Sequence, residues 1–443
     1  MHPPRSAGGR CLQERIGLTI FLTIFALLCV LLFLGFPVGF GLGLSGLVGL
    51  ILSGQSLTII AQVLYSSVDN FVLLAIPLFV LMSRILMRAG MSDDIFGALN
   101  TFLRHLPGGL AVAAVICCAF FATISGSSVT NAAAIGIIAI PALVQHGYPK
   151  EFAAGLVAAG GTLGILIPPS IPFVVYGAIA DQSIGKLFIA GVVPGILMTL
   201  LIAGYAMLAS WLKGYGRSES RASWSERWKA LRRTWTVLLL PVLILGGIYS
   251  GVFTPTEAAA AGFAIALFLA TVVYRRLSFQ AFWECVIDSV HITVMILTII
   301  GGANIFAHVS TTMQVPQLFA GFLVDLGLNR LVFLVLTSIA LIIVGDFLDP
   351  LAAILVFVPL LLPTLTVLQI DPIWFGVVLV INMELANITP PVGLNLFIIQ
   401  AIEPNITYAQ VFRGTVPFMI AILILLAIVL VFPQVALWLP AKL

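Results

Sequence analysis

Two polar patches break otherwise apolar stretches of this 443-residue chain: Ser125-Gly126-Ser127-Ser128, continued by Thr130 and Asn131, and Gly345-Asp346-Phe347-Leu348-Asp349-Pro350. The first gathers hydroxyl and amide oxygens around a glycine that lets the backbone turn and present its carbonyls. Sodium takes several oxygen ligands, and the carbonyls of unwound helix supply them without adding charge. Ser and Asn also simply join helices in lipid, each bond contributing about 0.6–2 kcal/mol. Five such side chains within the seven positions from Ser125 to Asn131 favour an ion site. In the second patch Asp346 and Asp349 are ionisable groups deep in apolar sequence, where a charge costs about 3 kcal/mol unless partnered or wet. A helix cap is the competing role for both.

Each patch is followed by a double proline. Gly160-Gly161-Thr162-Leu163-Gly164 leads into Pro168-Pro169-Ser170, and Asn387-Ile388-Thr389 leads into Pro390-Pro391-Val392-Gly393 with Asn395 beyond. Proline removes a donor and clashes with the preceding turn, so each pair interrupts a spanning helix. The carbonyls freed there suit a cation, and the N-terminus of the half-helix that follows suits an anion. One offset of 222 residues relates Pro141 to Pro363, Pro168 to Pro390 and Pro169 to Pro391. Interrupted hydrophobic segments at matching positions of two halves are the sequence mark of a transporter's binding site. The offset sets Asp349 opposite Ser127, and Glu384, a possible supporting acid, opposite Thr162. The expected sodium ligands are Ser125, Ser127, Asn131, Gly161 and Thr162 in one half and Gly345, Asp349, Thr389, Pro390 and Gly393 in the other. Ser128, Thr130, Pro168, Ser170, Asn387 and Asn395 are the expected substrate contacts. Arg84, in an apolar span, either pairs with a substrate carboxylate or snorkels to the membrane surface, the commoner behaviour.

Hydrophobic residues make up 61% of the chain and charged residues 8%, too few charges for an ordinary water-exposed surface and the composition of a polytopic membrane protein. Of the five cysteines, four lie in apolar runs and none has metal-ligand spacing, which reads as inert packing. His291 and His308 fit interhelical hydrogen bonds better than a proton relay. No Gly-rich loop with Lys marks a nucleotide site, and neither HExxH nor GxSxG supports an intramembrane enzyme. No organic cofactor is implied.

Apolar runs place spans near 16–35, 37–53, 70–88, 151–180, 187–210, 235–252, 256–274, 281–308, 372–402 and 414–438. The regions 107–145 and 329–367 are broken by the polar patches, and backbone interrupted at membrane depth is tolerated only when buried in protein or lining a cavity. Two re-entrant helical hairpins meet that condition. The chain then divides into an N-terminal tail 1–15, a first repeat 16–210 with hairpin 107–145 and broken helix 151–180, and a basic linker 211–234. An inverted second repeat 235–438 follows, with hairpin 329–367 and broken helix 372–402, and a tail 439–443. This topology gathers Arg88, Arg104, Lys150, Lys213, Arg217, Arg221, Arg227, Lys229, Arg232, Arg233, Arg275, Arg276 and Arg413 on one side, which is therefore cytoplasmic. Lys186, Arg330 and Lys442 fall opposite. Arg5, Arg10 and Arg15 of the tail run against the rule, so either the first helix is misplaced or translation starts nearer residue 16. The linker's Trp211, Trp224, Trp228 and Trp235 beside basic residues fit anionic headgroups better than nucleic acid. A short amphipathic helix precedes each hairpin: one capped by Ser92 and presenting Ile95, Leu99, Phe102 and Leu106, the other starting at Pro316 and presenting Phe319, Phe322 and Leu326.

Ser125-Gly-Ser-Ser, Gly160-Gly-Thr-Leu-Gly-Ile-Leu-Ile-Pro-Pro-Ser and Asn387-Ile-Thr-Pro-Pro-Val-Gly-Leu-Asn-Leu-Phe together resemble the large membrane subunit of tripartite ATP-independent periplasmic (TRAP) transporters, dicarboxylate and sialic-acid type. The resemblance covers nearly the whole chain from about residue 16. It implies an all-α, inverted-repeat elevator transporter of the bacterial inner membrane, with about ten transmembrane helices and two re-entrant hairpins. It also implies coupling to an inward sodium gradient, an organic anion delivered by a periplasmic binding protein, and a small four-helix membrane subunit on a separate chain. The carried anion is not legible here, because such systems choose it largely through the binding protein. A stand-alone sodium-coupled anion transporter of related fold is the alternative.

Overall fold

The computed structural model describes residues 7–216, 220–325, 327 and 329–442, and for 7–15, 324 and 325 the backbone alone. Arg5, Arg217 and Leu326 lie outside the described residues. The first half contains α1 (Ala7–Phe33), α2 (Val38–Leu52), α3 (Thr58–Val68), α4 (Ala75–Arg88, entered through a 3-10 turn at Phe71–Leu74), α5 (Met91–Leu103), α6 (Gly109–Ser125), α7 (Ser128–Gln145), α8 (Lys150–Leu166), α9 (Ile171–Ala180) and α10 (Ile184–Lys213). The second contains α11 (Trp224–Tyr249), α12 (Pro255–Phe268, continued by a π-helical turn), α13 (Phe279–Thr312), α14 (Val315–Asp325), α15 (Arg330–Gly345), α16 (Pro350–Val367), α17 (Pro372–Ala386), α18 (Leu394–Ile402), α19 (Tyr408–Val431) and the short α20 (Gln434–Leu437). No strand occurs among the described residues.

From α5 and α14 onward the two halves match in order. α7 and α16 begin and end at positions related by the 222-residue offset, and α5, α6, α8, α9 and α10 pair with α14, α15, α17, α18 and α19 within a few residues. Both hairpins take the form of two helices joined by a tight polar turn, and both broken helices part at their double prolines, whose peptide bonds are cis.

Helices α8 and α17 sit at the centre of the molecule. Nearly every residue of each is buried, because α8 alternates Ala and Gly with Leu and Val while α17 is apolar but for Asn382 and Glu384. Small residues let helices approach closely where lipid offers no hydrophobic drive for association. Around α8 pack α6, α7, α10 and α19. A second layer forms where α13, the longest helix, lies against α2, α3 and α4, with α12 against α4. A seam therefore runs between α4 and α13 on one side and α6, α9 and α16 on the other.

Among the described residues ten helices are long and apolar enough to cross a membrane, though not the ten expected. The segment 37–53 yields only the 15-residue α2, and 372–402 is divided into α17 and α18, neither of spanning length. The hairpin arms α7 and α16 qualify instead. The helix α3, exposed on most of its residues, was not anticipated. The linker expectation is also corrected: α10 runs to Lys213 and α11 starts at Trp224, because Ser223 and Glu226 form a capping box that holds the amphipathic Trp224–Trp235 stretch helical. Similarly, Thr407 and Gln410 start α19 earlier than 414. Residues 7–15, read as a tail, continue α1. Helix α5 is preceded by Gly90 in a left-handed conformation, while Ser92, expected to cap it, lies buried inside it. Four of the basic residues expected on one membrane face are ion-paired: Arg233 and Arg276 both hold Asp94 at 2.7 Å, Arg88 pairs with Glu284, and Arg104 with Glu226.

Candidate functional site at the seam

A cavity of about 260 Å³ opens where the two hairpin turns face α4 and α13. One wall is Ser125 to Thr130, with Asp349 to Leu351, Ile171, Pro172 and Asn387; the other is Val80, Ser83 and Arg84 of α4 with Ile292, Met295 and Ile296 of α13. The half-helices α7, α9, α16 and α18 all start at this cavity, through Ser128, Ile171, Pro350 and Leu394. Four helix N-termini thus bring the positive ends of their dipoles to one space.

Local chemistry explains how the first turn is held. Gly126, at φ +59°, makes the left-handed turn from α6 into α7, and its carbonyl accepts a hydrogen bond from Ile171 N at 3.2 Å, which ties the turn to the start of α9. Ser127 caps α7 by accepting from Thr130 N, and its own carbonyl accepts from the Ser125 hydroxyl at 3.4 Å. Gly164 of α8 permits this approach, since a Cβ there would stand 2.5 Å from the Ser127 carbonyl oxygen. Asn131 donates to the carbonyls of Cys118 at 3.1 Å and Gly161 at 3.2 Å, while its buried Oδ1 has no donor. A buried acceptor without a donor, beside the carbonyl oxygens of Cys118 and Gly161, is an oxygen cluster that fits a cation such as sodium.

The second turn differs in kind. Asp349 is the N-cap of α16, Oδ1 accepting from Leu351 N at 2.9 Å, and it lines the cavity; the cap role weighed from sequence is present. Asp346 is buried at the end of α15, and its Oδ1 has no donor. Gly345 packs on Ala386 and Met383 of α17. Glu384 is fully buried and neither carboxylate oxygen is hydrogen-bonded. An enclosed carboxylate without donors is costly unless a proton or a cation joins it.

The remaining expected residues do not line the cavity. Asn395 Nδ2 donates to Ser128 Oγ at 2.7 Å and to the Ala158 carbonyl at 3.0 Å, which joins α18 of one half to α7 and α8 of the other. Ser170 spends its hydroxyl on the Ile165 carbonyl across the break, and Pro168 is buried beside it. Thr162 and Thr389 donate back into their own helices, to Ala159 and Leu385. Thr389 and Pro390 are half-buried, and Gly393, left-handed at φ +57°, begins α18. Tyr408 Oη bonds the Val392 carbonyl at 3.0 Å, occupying an acceptor of the second break. Of the sixteen, Ser125, Ser127, Ser128, Thr130, Asp349 and Asn387 face the cavity. Arg84 faces it too. The sequence offered it as a charge within an apolar span, with snorkelling to the membrane surface the commoner behaviour.

Fold and site together define an all-α, multi-pass membrane transporter. The family model for the tripartite ATP-independent periplasmic transporter, DctM component, matches residues 25–435, and the chain belongs to that family, whose setting is the inner membrane. The chain is similar to a C4-dicarboxylate TRAP transporter large permease protein, DctM, of Pseudomonas aeruginosa, 43% identical over 90% of this chain and 93% of the relative. It is also similar to a sialic acid TRAP transporter large permease protein, SiaM, of Vibrio cholerae, 37% identical over 93% of this chain and 96% of the relative. Among solved structures, the YdaH transporter of Alcanivorax borkumensis matches with a TM-score of 0.60 and 14% identity over 87% of this chain and 88% of that one, a likeness of fold.

Proposed function

We propose that this chain is the transport subunit of a sodium-coupled system that imports a small organic carboxylate. The observation that carries the reading is the convergence of four half-helix N-termini on one cavity beside a turn rich in neutral oxygens. Helix N-termini favour an anion, and the adjoining carbonyls and hydroxyls favour a cation, so the two ions bound together offset each other's charge. The relatives' names, C4-dicarboxylate and sialic acid, support a carboxylate as the anion. Sodium is here a transported ion, held by Ser125, Ser127, Asn131, Gly161 and Thr162 near the first turn. Gly345, Asp349, Thr389, Pro390 and Gly393 serve near the second.

Alternating access follows from the seam: the body built on α8 and α17 slides against α4 and α13 and carries both turns with it. A soluble periplasmic binding protein delivers the anion, and a small four-helix membrane subunit completes the assembly. Reconstitution in proteoliposomes, with and without these two partners and with and without an inward sodium gradient, tests the reading. Uptake is expected only with both partners and the gradient. Uptake by this chain alone would identify a stand-alone carrier, and uptake indifferent to sodium would remove the coupling.

A further inference from the structure

Arg84 stands on the α4 wall of the seam cavity, opposite the two hairpin turns. Its Nε is buried without an acceptor, and it makes no ion pair among the described residues. The cations around it are engaged: Arg88, one turn along α4, holds Glu284, and Arg276 and Arg233 share Asp94. Besides Arg84, the cavity lining carries one charged side chain, Asp349, contributed by the opposite wall. A guanidinium at membrane depth costs several kcal/mol on even lenient scales unless it meets an anion or a wet cavity, and its planar fork matches a carboxylate bidentately.

We infer that Arg84 binds the substrate's carboxylate from the wall that does not slide. The inference rests on the reading of this chain as a carboxylate transporter. Arg84 belongs to α4, whereas the oxygens of both turns belong to the body on α8 and α17. The anion therefore bridges the seam when the turns reach Arg84, and leaves that contact when they move away. Arg84 is a specificity residue for one station of the cycle: it selects a carboxylate at the end of the seam where Arg88, Asp94 and Arg276 cluster.

The test uses the assembled complex with both partners and four labelled probes: succinate, fumarate, malate and N-acetylneuraminate. The Arg84→Gln variant removes a charge from the membrane, so insertion is not impeded. Its maximal uptake rate, at saturating loaded binding protein and sodium, is expected to fall at least tenfold. Half-saturation by sodium and docking of the binding protein should stay within twofold. Arg84→Lys keeps the charge without the fork and should recover part of the rate. Arg84→Gln transporting at more than half the unsubstituted rate would overturn the inference and leave the transporter reading intact, with Arg84 merely snorkelling. Loss of sodium half-saturation and binding-protein docking along with the rate would also overturn it, since that is a structural defect. If the unsubstituted complex moves none of the four probes, the reading of the cargo as one of these carboxylates falls, and Arg84's role as its ligand with it.

Discussion

Asp349 both caps α16 and faces the seam cavity, and substitution separates the two roles. Asparagine caps a helix almost as well as aspartate but lacks the charge that attracts a cation. Asp349→Asn is expected to keep expression and assembly while sodium-driven uptake falls at least tenfold. Unchanged uptake and sodium response would leave only the cap. The first turn makes a different prediction. Asn131→Ala leaves the Cys118 and Gly161 carbonyls without their donor, a cost of about 1–3 kcal/mol, whereas Ser127→Ala loses one cap of about 1 kcal/mol. Thermal unfolding of the purified complex should therefore drop further for Asn131→Ala. Both variants should need more sodium for half-maximal uptake, and a sodium curve unmoved by Ser127→Ala would reduce that residue to a cap. These roles were only partly legible in sequence. A cluster of Ser, Thr and Asn announces oxygens, but whether each points at a cavity or at its own helix is set by rotamer and packing. Hence Ser127 faces the cavity while Thr162 and Thr389 bond backward.

At the scale of elements, the breaks were legible because proline and glycine act locally. A double proline cannot continue a helix whatever surrounds it, and the matching prolines 222 residues apart announced α8–α9 and α17–α18 as copies. Helix lengths were less legible. The start of α11 at Trp224 depends on a capping box in polar sequence that hydropathy reads as a loop, and α3 is too short and exposed to register as a span. The turn between α6 and α7 offers an element-scale test at Gly126. A methyl group there would lie 2.9 Å from the Pro169 carbonyl oxygen, on a left-handed residue that costs about 1–2 kcal/mol for any side chain. Gly126→Ala should displace the turn from the start of α9 and reduce uptake severely while the rest of the fold persists. Wild-type uptake in that variant would mean that the turn's position is immaterial.

For the whole molecule, the account depends on relative movement across the seam. The sequence supplied the two-fold plan and the oxygen-rich turns, but which helices form the opposing wall could not be read from it, because no repeat or break marks α4 and α13 as partners of the turns. Packing alone brings Met295 of α13 and Leu351 of α16 to one cavity. If α16 travels past α13 in each cycle, joining these two positions must stop transport. The measurement is sodium-driven uptake by the complete complex carrying Met295→Cys and Leu351→Cys, before and after treatment with a short, reducible dithiol crosslinker, with each single variant as a control for the native cysteines. Uptake should be abolished in the crosslinked double variant, retained in both single variants and restored on reduction. A double variant that is fully crosslinked and still imports at the untreated rate would contradict sliding at this seam.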